Sequence, residues 1–340
     1  MAEKTTTVKK NNPIKTFFKN NGAILIGYGL LIVVLIILKG ETFYKWSNIE
    51  NVIRQAVQNS LMAFGITFIL VNGCVDLSVG ANCATTGVIL VLFLNMGVPL
   101  WGAIIITLIA GALMGLFNGF FVTEWNLLPY VVTLASQNIY RGLGYVISGG
   151  LPVRNLDEGF AFIGNGRILN NMVSVPIIIM LVCFVFCSVF MARTVTGRHM
   201  YAVGGNQEAA QYSGINPKKI KKIAYMFSGI LSAVAGIVLA SKLYSGQPSS
   251  GVGYEGDAIA SNVLGGVSMK GGTGTHMGAL IGALVLATLT NGFNLMQVDF
   301  YYQMIVKGFV IILAVEIDVL KKAAEEANIS LRELLFPKKK

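Results

Sequence analysis

The segment Asn72-Gly73-Cys74-Val75-Asp76-Leu77-Ser78-Val79-Gly80 interrupts two long apolar runs with a carboxylate, a hydroxyl and flanking glycines. Such glycines permit non-helical backbone, and Asp76 and Ser78 can accept hydrogen bonds from the free N–H groups that open the next helix. Non-helical backbone at membrane depth persists only where it is buried in protein or lines a water-filled cavity. Two uses fit these residues: a broken helix beside a translocation path, or an N-cap at the membrane surface. Asn118, Thr133 and Asn291 are further polar groups in or beside apolar runs. With Asp76 and Ser78 they are the candidates for lining a path, the competing assignment being backbone and helix-packing bonds. Arg141 and Lys307 also fall within apolar runs, where ionisable groups are costly and usually face a bundle interior or a cavity; snorkelling to an interface is the alternative.

Little else in the chain could do chemistry. No G-x-x-x-x-G-K-[ST] phosphate loop, H-E-x-x-H or G-x-S-x-G occurs, and Gly272-x-Gly274 lacks the third glycine of a dinucleotide fingerprint. Cys183 and Cys187 share a helix face, but no His or carboxylate joins them at a metal-ligand spacing, so packing is the expected use of the cysteines. His199 and His276 have no catalytic companions. Neither a cofactor nor a metal is expected, and without a phosphate loop this chain is not expected to bind ATP in the usual way.

These residues are carried by an unusually apolar chain, 54% hydrophobic and 12% charged. Soluble domains carry roughly 25% charged residues. The net charge of +10 comes from basic clusters at the two ends and beside a central polar stretch, without an aromatic-interleaved basic face, so nucleic acid is not expected. A span needs roughly 20 residues to cross about 30 Å of hydrocarbon. The apolar runs 23–38, 53–72, 80–96, 100–122, 128–148, 173–192, 220–243, 258–269, 277–296 and 302–317 suggest about ten, the eighth short and Gly-rich. The expectation is an all-α polytopic membrane protein with broken Gly-rich segments and both termini cytoplasmic. It comprises a tail at 1–22, a membrane domain at 23–318 and an amphipathic, basic tail at 319–340, with Asp318 to Phe336 as a surface helix. The apolar run after the N-terminal lysines lacks a small-residue cleavage pattern and reads as an uncleaved first span. Segments 149–172, able to hold a short interfacial helix, and 244–257, rich in Gly, Pro and Ser, fall outside.

Thr196 to Lys222 is the long polar island, and its loop 196–219 is placed inside, as a cytoplasmic coupling loop, by the basic residues and by the span count. Within it Asn206 can cap a short helix with Glu208 in the first turn, Gly214 suits a left-handed stop, and Ala209 and Ala210 would present a small flat surface. Gly204, Gly205, Asn206, Glu208, Ala209, Ala210 and Gly214 are therefore the candidate docking element for a soluble partner. The spacings Gly111-x-x-x-Gly115-x-x-x-Gly119 and Gly278-x-x-x-Gly282 fit close helix packing. An internal repeat is also visible. Aligning the break at 72–80 with the Gly-rich run 264–274 makes it parallel; aligning the two Asn-Gly-Phe triplets, at Asn118 and Asn291, makes it inverted.

Gly73 to Gly80, the run Leu128-Pro129-Tyr130-Val131-Val132-Thr133-Leu134-Ala135 with Arg141-Gly142-Leu143, the segment Thr196 to Ile215, and Gly253 to Ala260 together resemble the permease subunits of bacterial ATP-binding-cassette importers for simple sugars. The resemblance covers about residues 50 to 320. Gly256 and the pair Ser261-Asn262 depart from it, close to the presumed outer mouth. It implies a monosaccharide substrate, a cytosolic ATP-binding subunit, an extracytoplasmic sugar-binding protein and a second permease copy, in a bacterial plasma membrane. Arg154, Asp157, Glu158, Tyr254, Glu255 and Asp257 on the outer segments become candidates for docking the binding protein. An ion-coupled secondary transporter is the alternative, with Asp76 as its one qualifying carboxylate; a membrane-embedded enzyme ranks third.

Overall fold

The computed structural model describes residues 13–168 and 172–326. The chain runs α1 (Pro13–Lys39), α2 (Glu41–Tyr44), α3 (Trp46–Val71), α4 (Val79–Asn95), α5 (Leu100–Glu124) and α6 (Pro129–Ser148). Next come β1 (Val153–Arg154), α7 (Glu158–Asn165), β2 (Arg167–Ile168), β3 (Val173–Ser174), α8 (Val175–Arg193), α9 (Val195–Gly205) and α10 (Gln207–Tyr212). It closes with α11 (Pro217–Lys242), β4 (Ser245–Gly246), α12 (Tyr254–Leu264), α13 (His276–Leu295) and α14 (Phe300–Glu326). The expected surface helix from Asp318 begins as the continuation of α14, and its part beyond Glu326 lies outside the described residues, as do Lys4, Lys9 and Lys10.

Each of the ten apolar runs coincides with a helix. Among the described residues α5, α8, α11 and α13 are long and apolar enough to cross a bilayer, and α4 and parts of α1 and α14 are shorter apolar helices. The result is an all-α membrane architecture in which two-residue strand pairs are the only sheet among the described residues. The eighth run shifts: its helix starts at Tyr254 and ends at Leu264, before the glycines. At 1.5 Å per residue its 11 residues span about 16 Å, half a bilayer.

α11 is the central post, packed against α3, α4 and α5. The glycine stripe of α5 makes this possible. A Cβ on Gly115 would lie 2.1 Å from the Tyr225 carbonyl oxygen, and one on Gly111 2.5 Å from Ala233 Cβ. Aromatic side chains fill the space beside it, Phe68 stacking on Phe227 with ring centroids 5.1 Å apart. Exposed Trp46 and Trp101 at one end of the bundle and Trp125 at the other suit aromatic belts.

Contacts along the helices fix their directions. Gly111, Gly115 and Gly119 meet successively earlier residues of α11, so α5 and α11 are antiparallel. By the same test α3 is antiparallel to α11 through Gln58–Ala235 and Gly65–Ser228, and to α13 through Asn48–Asn291 and Phe64–His276. α4 runs with α11, whereas α12 runs with α3 and against α13. Thus α3–α4–α5 and α11–α12–α13 carry opposite directions, each with a break before its second helix and Asn-Gly-Phe in its third. The inverted alignment is the one the helices follow. The Gly-rich run 264–274 instead abuts the first break: Gly272 N donates to the Val71 carbonyl at 2.9 Å.

Segment 244–257 departs from the expectation of an exposed loop. β4 pairs with β1 (Val153↔Gly246, Arg154↔Ser245), and the chain then turns inward between α4 and α6. Its apex reaches α4, where a Cβ on Gly80 would lie 2.2 Å from the Gly251 carbonyl oxygen and one on Gly251 2.4 Å from that of Gly80. The two breaks therefore touch backbone to backbone. Ser261 and Asn262 are likewise buried between α12 and α3, where Thr67 Oγ1 donates to Asn262 Oδ1 at 2.7 Å, and not at an outer mouth.

Candidate functional site

The polar segment at the basic end is built by successive caps. Thr194 Oγ1 accepts from Gly197 N at 3.0 Å to open α9, Asn206 Oδ1 accepts from Ala209 N at 2.9 Å to open α10, and Asn216 Oδ1 accepts from Lys219 N at 3.1 Å to open α11. Gly214, at φ +83°, provides the left-handed stop after α10, with Ile215 N donating to the Ala210 carbonyl at 3.1 Å. Glu208 is exposed in the first turn of α10, complementing the helix dipole.

One detail differs from the expected flat surface: Ala210 is 5% exposed and packs into the core, so Ala209 and Ala210 do not face the same way. The free face of α10 carries Glu208, Ala209, Gln211 and Tyr212, the last 92% exposed. Tyr212 is not among the residues expected on this face from the sequence, although an aromatic in a polar segment is a visible signal. Beside this face a hollow of about 430 Å³ runs between α10 and the facing ends of α5 and α11. Lys218 and Lys222 both pair with Glu124, tying α11 to α5 below it.

Behind α10, the segment is wedged against the first break. A Cβ on Gly204 would sit 1.7 Å from the Val71 carbonyl oxygen, while Gly205 is exposed and a Cβ there would meet nothing, its backbone lying against Gly272. Tyr201 Oη donates to the Gly274 carbonyl at 2.7 Å. α9 is therefore in direct contact with the end of α3 and with the 265–275 loop.

The break itself is closed by a buried network. Asp76 Oδ1 accepts from Ser78 N at 2.9 Å and Ser78 Oγ at 2.7 Å, and Asp76 Oδ2 accepts from Ser228 Oγ at 2.8 Å. Asn118 Nδ2 donates to Ser78 Oγ at 2.8 Å, Tyr140 Oη is 3.0 Å from Asn118 Oδ1 and also donates to the Met114 carbonyl, and Tyr225 Oη donates to the Val75 carbonyl. Three of the five path candidates, Asp76, Ser78 and Asn118, thus come together in one place, each at most 2% exposed. The other two lie elsewhere. Thr133 Oγ1 bonds the Pro129 carbonyl of its own helix at 2.9 Å, and Asn291 exchanges amide hydrogen bonds with Asn48 near the opposite end.

Around the second break, Arg141 does not snorkel but donates to the carbonyls of Pro248, at 2.8 Å, and Ser250. Gln137 Nε2 donates to Glu255 Oε1 at 3.1 Å, and Lys307 pairs with Asp257 at 3.1 Å. Tyr254, Glu255 and Asp257 are hence half-buried among helices. Arg154, Asp157 and Glu158 are exposed at the opposite end, where Asp157 Oδ1 caps α7 by accepting from Phe160 N at 2.8 Å.

The site is thus a bundle of apolar helices that meets at two touching breaks, with a capped helical segment wedged against one of them. A family model described as the permease component of a branched-chain amino acid transport system matches residues 48–315. The ribose import permease protein of Bacillus subtilis is 43% identical over 298 residues, covering 87% of this chain and 92% of that protein. The L-arabinose transport system permease protein of Escherichia coli is 34% identical over 309 residues, 89% and 94% of the two chains. The D-allose transport system permease protein of the same organism is 33% identical over 321 residues, 92% and 98%. No solved structure matches the chain. The chain belongs to the family of bacterial simple-sugar ATP-binding-cassette importer permeases, subunits that reside in the inner membrane and leave ATP hydrolysis to a separate chain.

Proposed function

We propose that this chain forms the membrane path for a monosaccharide handed over by an extracytoplasmic binding protein and driven by a cytosolic ATP-binding subunit. The reading is carried by the coverage of three relatives, each named for a different monosaccharide, by almost the whole chain. The higher identity to a ribose permease favours a ribose-like pentose. Reconstitution tests it: vesicles holding the permease, its ATPase and the binding protein should concentrate D-ribose only with ATP. Concentrative uptake by the permease alone under a proton or sodium gradient would sink the reading.

In this proposal ten spans cross the membrane within residues 23–318, both tails, 1–22 and 319–340, are cytoplasmic, and a second permease copy completes the path. The basic residues Arg193, Arg198, Lys218, Lys219, Lys221 and Lys222 at one end support that orientation. α10 docks the ATPase through Glu208, Ala209 and Tyr212, and the wedge at Gly204 relays its movement to the break. Arg154, Asp157 and Glu158 receive the binding protein. The closed hydrogen bonding of Asp76, Ser78, Asn118, Thr133 and Asn291 favours helix bracing over path lining for these residues.

A further inference from the structure

We infer that a single copy of this chain carries its own binding site for a polyhydroxylated solute, in a half-open cavity lined mainly by α3, α11, α12 and α13, with single residues from α7, α8 and α14. The inference rests on the monosaccharide reading above and adds the place where the solute sits. The cavity has a volume of about 230 Å³ and extends from Gly164 of α7 and Lys242 at the opposite end inward to Tyr254 and Asp257 beside the second break. At about 30 Å³ per water in the liquid, this is the room of roughly eight waters. That accommodates one small sugar ring and is less than the roughly 300–1,000 Å³ of pockets for drug-sized ligands.

The hydrogen-bonding groups on the wall are of both kinds. Asn59 is tied into the wall, donating through Nδ2 to Ser261 Oγ at 2.7 Å, with its Oδ1 sealed away from the cavity. Asp257 uses Oδ2 on Lys307 and has Oδ1 to spare. Arg54 and Lys242 supply donors and have no carboxylate partner among the described residues, while Gln55 and the Tyr254 hydroxyl can do either. A hydroxyl both donates and accepts, so a polyol answers the whole set. A phosphate or carboxylate only accepts: it would leave Asp257 Oδ1 unmatched and bring negative charge towards it. The Tyr254 ring, with Met62 and Leu239, offers the apolar surface that the C–H face of a sugar requires.

The test uses the full chain purified in detergent, with D-ribose, L-arabinose, D-allose and inorganic phosphate as probes in calorimetric titrations. Saturable binding of at least one sugar is expected, weakened about tenfold by Gln55→Leu and by Arg54→Gln, the loss of one well-formed hydrogen bond. Since these variants could fold poorly, a Gln55→Cys variant provides a second readout: its thiol should react with a water-soluble reagent and be protected by the bound sugar. Tighter binding of phosphate than of any sugar, or labelling that no sugar slows, overturns the inference. If the complete importer concentrates a sugar that the isolated permease never binds, the site is wrong and the transport reading stands. If the complete importer moves none of the three sugars, the transport reading has failed and the inference falls with it.

Discussion

Replacing Ser228 by alanine should cost the bundle about 2 kcal/mol, whereas Ser232→Ala, one turn along the same helix, should cost almost nothing. Ser228 Oγ is the one donor to Asp76 Oδ2 among the described residues, at 2.8 Å, and both side chains are buried. Hydrogen bonds to charged groups contribute roughly 1.5–3 kcal/mol in proteins, while side-chain bonds between membrane helices average about 0.6 and reach about 1.7. The buried carboxylate oxygen left behind places this case at or above the upper membrane value. Ser232 only donates back to the Ser228 carbonyl of its own helix, a bond whose loss should stay within about 0.5 kcal/mol. At roughly 2.1 cal/mol/K of unfolding entropy per residue, 1 kcal/mol moves the midpoint of a 340-residue chain by about 1.4 °C, so Ser228→Ala should lower the melting temperature in detergent by about 3 °C. The comparison also decides between the two uses of Asp76. In a water-filled path a solvent molecule would replace the lost donor, so equal melting temperatures for the two variants would refute the bracing role.

Further outcomes follow from the same geometry. Ala209→Arg should leave the melting temperature unchanged but reduce co-purification of the ATPase and transport; Ala210→Arg should destabilise the fold, because that position is buried, and a stable Ala210→Arg variant would contradict the orientation of α10. Gly204→Val should prise α9 from the Val71 carbonyl, at the roughly 1–3 kcal/mol typical of overpacking, and lower the sugar moved per ATP hydrolysed while the ATPase stays bound. Reversing charge with Arg154→Glu and Glu158→Lys should weaken uptake that depends on the binding protein and leave ATPase binding alone, read in parallel pull-downs. Asp157→Ala should cost about 1 kcal/mol through loss of the α7 cap, measurable as faster proteolysis of the 155–168 segment.

The sequence by itself determined what is local. Apolar runs near 20 residues long identified the helices that became α1, α3 to α6, α8, α11, α13 and α14, because a helix in lipid satisfies its own backbone and needs no distant partner to be recognised. The caps at Asn206 and the stop at Gly214 were legible for the same reason, since each acts within four residues of itself. Only the tertiary structure decided which polar groups meet. Asp76 finds Ser228, 152 positions away, and Asn48 finds Asn291, 243 positions away, pairings that no local pattern encodes. The same limit hid the burial of Ala210, the inward turn of 247–253 and the inverted sense of the repeat. A Gly-, Pro- and Ser-rich segment has the same composition whether it faces water or another backbone. It is the reciprocal fit of Gly80 on Gly251, possible only with no side chain on either, that brings this one into the bundle.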